Sequence, residues 1–146
     1  MLRSLDIRDM LIIDRLGLEF QPGLNVLTGE TGAGKSILLE SLGFVLGWRG
    51  RADLVRQGAA QGEVTAVFDL TPDHPARAVL DEAGLAGGDD LILRRVAHAD
   101  GRRTAFVEGT LKDSAGILLA KGSSTITLAK RAKVQAAARA ALGAST

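Results

Sequence analysis

Residues 29–36 read GETGAGKS, three glycines within six positions followed by Lys35 and Ser36. The flanks make this run restrictive. The preceding LNVLT, residues 24–28, has the character of a short apolar strand. Beyond the run, Ile37, Leu38, Leu42, Val45 and Leu46 recur at helical spacing as far as Gly47. A chain that leaves a strand and enters a helix within so few residues must turn sharply. Glycine tolerates the backbone angles and the close approach that a side chain would block. In such a turn successive backbone N–H groups point into one concavity, with the positive end of the helix behind it. That shape suits an anion, and it places the chain in the α/β class.

Gly29, Gly34, Lys35 and Ser36 occupy the fixed places of G-x-x-x-x-G-K-[ST], the pattern of a nucleotide phosphate loop. The amides from about Gly32 to Ser36 would surround a β-phosphate. Lys35 would reach the β- and γ-phosphates as a point charge, and the Ser36 hydroxyl would ligate Mg²⁺. The expected ATP-binding residues are therefore Gly29, Glu30, Thr31, Gly32, Ala33, Gly34, Lys35 and Ser36, with ATP and Mg²⁺ as cofactors and Ser36 at the metal. Nothing in the sequence makes Glu30 a base, and no catalytic residue is assigned.

The remaining pattern supplies a sheet around this loop. Leu2, Leu5 and Ile7 form one short apolar run, and Leu16, Leu18 and Phe20 alternate in a second. Val64, Ala66, Phe68 and Leu70 alternate in EVTAVFDL, which Pro72 and Pro75 close. PARAVLDEAGLAG predicts a short helix ending near Gly84 or Gly87. Residues 91–97 and 104–107 predict a β-hairpin around Asp100-Gly101. The chain has 146 residues, 46% of them hydrophobic and 24% charged, enough for a hydrophobic core. It has no cysteine, which excludes disulfides and thiolate metal sites. No apolar run approaches the roughly 20 residues of a membrane helix. The start MLRSLDIRD is charged and unlike a signal peptide, so a cytoplasmic protein without membrane contact is expected.

Charge divides the chain. Residues 1–113 carry all 17 acidic residues and a net −4, whereas residues 114–146 carry Lys121, Lys130, Arg131, Lys133 and Arg139 and no acid. The Ala-rich, basic stretch from residue 112 has weak periodicity and predicts little regular structure. Arg49, Arg51 and Arg56 could contact phosphate or DNA, or form a solvated basic loop. Arg94, Arg95, Arg102 and Arg103 flank the expected hairpin turn, either as a rim facing DNA or as charges that keep a sheet edge from aggregating. His74 and His98 have no acidic neighbour at a telling spacing and are expected at the surface.

The run LRSLDIRDMLIIDRLGLEFQPGLNVLTGETGAGKS, continued by LVRQGA, AVFDL and LILRRVAHADGRRTAFVEGT, resembles the amino-terminal part of the RecN family over residues 1–111. The resemblance implies the SMC-like branch of ABC-type ATPases and a role in repairing DNA double-strand breaks. It further implies a P-loop NTPase head split in two, of which residues 1–111 are the N-terminal lobe, with a mixed sheet and a peripheral antiparallel hairpin. A long coiled coil and a second head lobe complete the domain, two heads sandwich ATP in a homodimer, and the protein works on DNA at the nucleoid. Past residue 111 the sequence departs from the pattern. A HGQHD-like segment, heptads, an LSGG-like signature and an apolar strand ending in Asp-Glu are all missing. Residues 112–146 are accordingly expected to be a divergent tail, or one read from a shifted frame, behind an incomplete domain.

An incomplete head predicts ATP binding with negligible hydrolysis, since water orientation and the opposing signature loop are absent. Two other readings stay open. A small standalone P-loop phosphotransferase needs an acidic metal-binding strand and a lid of arginines. A non-enzymatic basic DNA-binding module would bind weakly and with steep salt dependence.

Overall fold

Leu5 and Ile7 alternate with polar residues along β1 (Leu2–Met10), and both side chains are buried. β1 turns back into β2 (Ile13–Glu19) with Leu5 opposite Leu18 and Ile7 opposite Leu16. The computed structural model describes residues 1–29, 33–48, 53–85, 88–100 and 104–127. Helix α1 (Ala33–Val45) follows, then β3 (Gln61–Asp69), helix α2 (Pro75–Glu82), and strands β4 (Asp90–Asp100), β5 (Thr104–Asp113) and β6 (Leu118–Thr127). The strands make one six-stranded sheet in the order β2-β1-β3-β4-β5-β6.

Register sorts the two faces. Ile7, Val64, Arg95, Gly109 and Gly122 form one row across five strands, and Leu5, Ala66, Leu93, Leu111 and Ala120 form another on the same face. α1 covers this face, inserting Phe44 and Val45 into a core with Leu5, Ile7, Met10, Leu54, Val64, Ala66, Ala97 and Val107. Burial of such side chains, about 1.5–3 kcal/mol each, is the main force holding helix to sheet. α2 starts at Pro75 behind a His74 cap, and its Leu80 joins Leu70 and Leu91 in a smaller cluster. The opposite face carries Arg8, Glu63, Arg94, Glu108 and Lys121, so it is a charged ladder.

Four expectations are corrected. The sheet is not mixed: every pairing among the described residues is antiparallel. Residues 24–28 are not a strand, and Leu24 and Val26 are 90% and 70% exposed. A strand exists only with neighbours to satisfy its backbone, and no described element lies alongside to pair with it. Asn25 instead ties the segment locally, donating to the Gln21 carbonyl at 2.7 Å and accepting from the Gln21 amide at 3.0 Å.

Residues 118–127, part of the tail that is poorly specified in sequence, form β6. Its turn is built by Asp113, whose Oδ1 accepts from the Ala115 amide at 3.0 Å and the Ile117 amide at 2.8 Å. Gly116 takes a φ of 82° there, which a side chain would strain. Residues 128–146 lie outside the described residues. Finally, Arg94 and Arg95 are not at an edge, because β4 lies between β3 and β5.

Candidate phosphate-binding site

Helix α1 begins at Ala33, so Gly34, Lys35 and Ser36 form its first turn, with no acidic side chain there to offset the positive helix end. Ile37 is buried and anchors that turn to the core, while Gly34 and Ser36 are exposed. A Cβ at Gly34 would meet nothing within 4 Å, so the space over the first turn is open. The Lys35 ammonium reaches back to Gly29 and donates to its carbonyl at 2.6 Å. The two ends of the expected loop are thus drawn together by its own cation. Glu30, Thr31 and Gly32 lie outside the described residues, as does the Ala33 side chain. What is described suits a phosphate: the Lys35 ammonium and the exposed Ser36 belong to the first turn of α1, with open space at Gly34. Beside the loop, Leu2, Leu5, Leu18, Val26, Leu38 and Leu42 line an apolar cleft of about 310 Å³.

The far end of α1 is held more elaborately. Gly47 closes the helix with its amide on the Phe44 carbonyl at 3.1 Å, and Trp48 follows with its amide on the Gly43 carbonyl at 2.9 Å. The Trp48 ring lies where a Cβ of residue 43 would stand, 2.2 Å from it, so only glycine admits this packing. Arg95 crosses from β4 and donates from Nη1 to the carbonyls of Phe44 (2.5 Å) and Trp48 (2.8 Å). Its guanidinium also lies 4.5 Å above the Phe44 ring. Burial pushes its pKa below the ordinary arginine value. Sequence reasoning missed this role, since nothing local connects a strand arginine to a helix end so far back in the chain.

The other candidate residues are engaged in structure. Arg56 Nη1 pairs with Asp9 at 3.2 Å and Asp14 at 3.1 Å, clamping the β1–β2 turn. Arg94 pairs with Glu63, and that hydrogen bond holds the Glu63 carboxyl below its usual range despite burial. His74 Nδ1 accepts from the Ala76 amide at 3.1 Å as the cap of α2. His98, which had no evident acidic neighbour in sequence, lies 3.3 Å from Glu108 across β4 and β5. Glu108 also pairs with Lys121 at 3.3 Å, and Lys121 is the foremost cause of its lowered pKa. Arg49, Arg51, Arg102 and Arg103 lie outside the described residues. Among the described residues no group of three or more His, Cys, Asp or Glu could hold a metal. Nor is any described helix long and apolar enough to cross a membrane.

A family model described as an AAA domain matches residues 4–133, beyond residue 111 where the resemblance was expected to end. The DNA repair protein RecN of Xylella fastidiosa strain Temecula1 is 45% identical over 107 residues, 73% of this chain and 19% of that protein. RecN of Vibrio cholerae is 44% identical over 110 residues, 75% of this chain and 20% of that one. RecN of Halalkalibacterium halodurans is 41% identical over 129 residues, 88% of this chain and 23% of that one. The chain thus spans about a fifth of the length of the curated relatives it matches. It belongs to the AAA-domain family and, within it, to the RecN proteins.

Proposed function

We propose that this chain binds Mg·ATP as one lobe of a RecN-like head that serves DNA double-strand-break repair and recombination in the cytoplasm, at the nucleoid. The reading is supported by the Lys35 ammonium reaching back to the Gly29 carbonyl beside the open first turn of α1. By the motif, the backbone from Gly29 to Gly34 would cradle phosphate, Lys35 would neutralise its charge, and Ser36 would hold a magnesium ion. When bound, the cation screens the β- and γ-phosphate oxygens.

Every other contribution comes from the chain itself: orientation by the helix, charge by Lys35, and restraint of the loop by the Gly29 carbonyl. Hydrolysis requires a group that orients water and a donor loop on the opposite side of the nucleotide, and neither motif occurs in this sequence. The chain alone therefore binds without appreciable turnover. The exposed Leu24, Val26 and Leu27, next to the apolar cleft, are where a second head lobe would pair and complete the sheet. DNA engagement and head dimerisation belong to that completed assembly.

Calorimetric titration of the purified chain with Mg·ATP tests the reading. Saturable one-to-one uptake that Lys35→Ala abolishes is expected. Heat that is absent, or unchanged in Lys35→Ala, rejects it.

A further inference from the structure

We propose that Arg95 is a positioning residue for the phosphate loop: it fastens the distal end of α1 to β4 and thereby sets where the loop end of the helix points. The inference rests on the nucleotide reading above. Arg95 stands on the α1 side of an interior strand, opposite Val64 on β3 and Gly109 on β5. Gly109 in turn faces Gly122 on β6, so the two strands beyond Arg95 in this row offer the helix no side chain. A cavity of about 450 Å³ lies there, between the end of α1 at Val45–Gly47 and the floor of Gly109, Ala120 and Gly122. Burial of Phe44 and Val45 holds the helix end from beneath, and Arg95 adds hydrogen bonds to its last carbonyls on the side of the cavity.

The chemistry of the contact suits a fastening. Arg95 is partly buried, and desolvation is the cause that lowers its pKa. Its charge is directed at the carbonyls of Phe44 and Trp48, at the negative end of the helix dipole. One donor holds both the last turn of α1 and the residue beyond it, while the guanidinium plane rests on Phe44.

The mechanical consequence follows from helix geometry. The 13 residues of α1 make a rod about 20 Å long. The outer side is exposed at Leu39 and Leu46, so the angle of the rod on the sheet is set from beneath. A tilt released at Phe44 displaces Lys35 and Ser36 at the other end by a comparable distance.

The test uses the 146-residue chain with Arg95→Met, Arg95→Lys and Lys35→Ala. Backbone amide NMR without nucleotide should show Arg95→Met shifting Gly34, Lys35 and Ser36 as well as Phe44 to Trp48. Arg95→Lys, which still offers donors to both carbonyls, should restore them. Titration with Mg·ADP should give affinity about tenfold weaker for Arg95→Met and within about threefold of the original for Arg95→Lys. A folded Arg95→Met with unchanged affinity, or with shifts confined to the distal end, overturns the inference while leaving the nucleotide reading intact. No uptake by the unsubstituted chain overturns both. Should Arg95→Met not fold, Arg95→Gln, whose amide reaches one carbonyl at most, is read by the same criteria.

Discussion

Arg94 on β4 grips Glu63 on β3 through two hydrogen bonds, Nε to Oε1 at 2.7 Å and Nη2 to Oε2 at 2.6 Å. The pair sits on the sheet face away from α1, with Glu63 the better covered partner. Paired with Arg94, the Glu63 carboxyl is held below its usual range, chiefly by that hydrogen bond. A carboxyl depressed in the folded state contributes stability above its unfolded pKa and loses that contribution as pH falls through its folded pKa. Glu63→Gln should therefore cost about 1 kcal/mol at pH 7, after discounting for solvent around the exposed Arg94. The difference should shrink as pH falls from the ordinary carboxyl range through the lower folded pKa. Urea midpoints of both proteins between pH 7 and pH 3 measure it; a gap that stays constant with pH would remove the ion pair as its source.

Ser41 gives the opposite sign. It lies in the middle of α1, fully buried, and its hydroxyl has no hydrogen-bond partner among the described residues. An unsatisfied buried hydroxyl is a cost, and alanine is the better helix former. Ser41→Ala should raise stability by about 0.5–1 kcal/mol. Loss of stability in thermal melting would mean that the hydroxyl is engaged.

These two cases bracket what the sequence could disclose. β1, β2 and β3 were legible because each buries one face, so Leu5, Ile7, Val64 and Ala66 fall at every second position. α2 was legible from its punctuation, Pro75 at the start and Gly84 after the end, with a φ of 70°. Lys35 and Ser36 are proposed as site residues from a motif that is local in sequence. By contrast, LNVLT is apolar enough for a strand, but pairing is a property of neighbours, and none of the described elements provides it. β6 was hidden by composition. LLAKGSSTIT has little strand propensity, and its pairing with β5 comes from the turn before it. The Asp and Gly of that turn stood in the sequence, yet the change of charge at residue 114 drew the boundary instead. Arg95 was illegible for another reason: its partners lie on a helix that only the tertiary fold brings beside it.

The Asp113 turn can be weighed directly. Its carboxylate accepts two backbone amides, from Ala115 and Ile117, within a turn that the Asp113 amide also closes on the Ile117 carbonyl at 3.0 Å. Asp113→Ala should cost about 1–2 kcal/mol, and Asp113→Asn less than half of that, since one acceptor oxygen remains. Hydrogen exchange locates the loss: the amides of β6 should gain exchange far more than those of β1. Uniform acceleration over the whole sheet would show that the turn supports the core rather than the edge strand.

The last prediction concerns the uncovered apolar surface. Leu24, Val26 and Leu39 are exposed, and Val26 and Leu39 also line the cleft beside the loop. Exposed apolar groups next to an unpaired backbone invite association. Because these side chains bury little within the chain, replacing them should barely affect folding, by less than about 0.5 kcal/mol. Val26→Thr combined with Leu39→Gln should therefore leave the urea midpoint unchanged while lowering light scattering and binding of a hydrophobic dye. Equal scattering in both proteins would place the association elsewhere, with the unpaired edge of β6 next to be examined by Ser124→Pro. A shifted urea midpoint would instead show that the cleft is closed in solution, with Val26 packed onto α1.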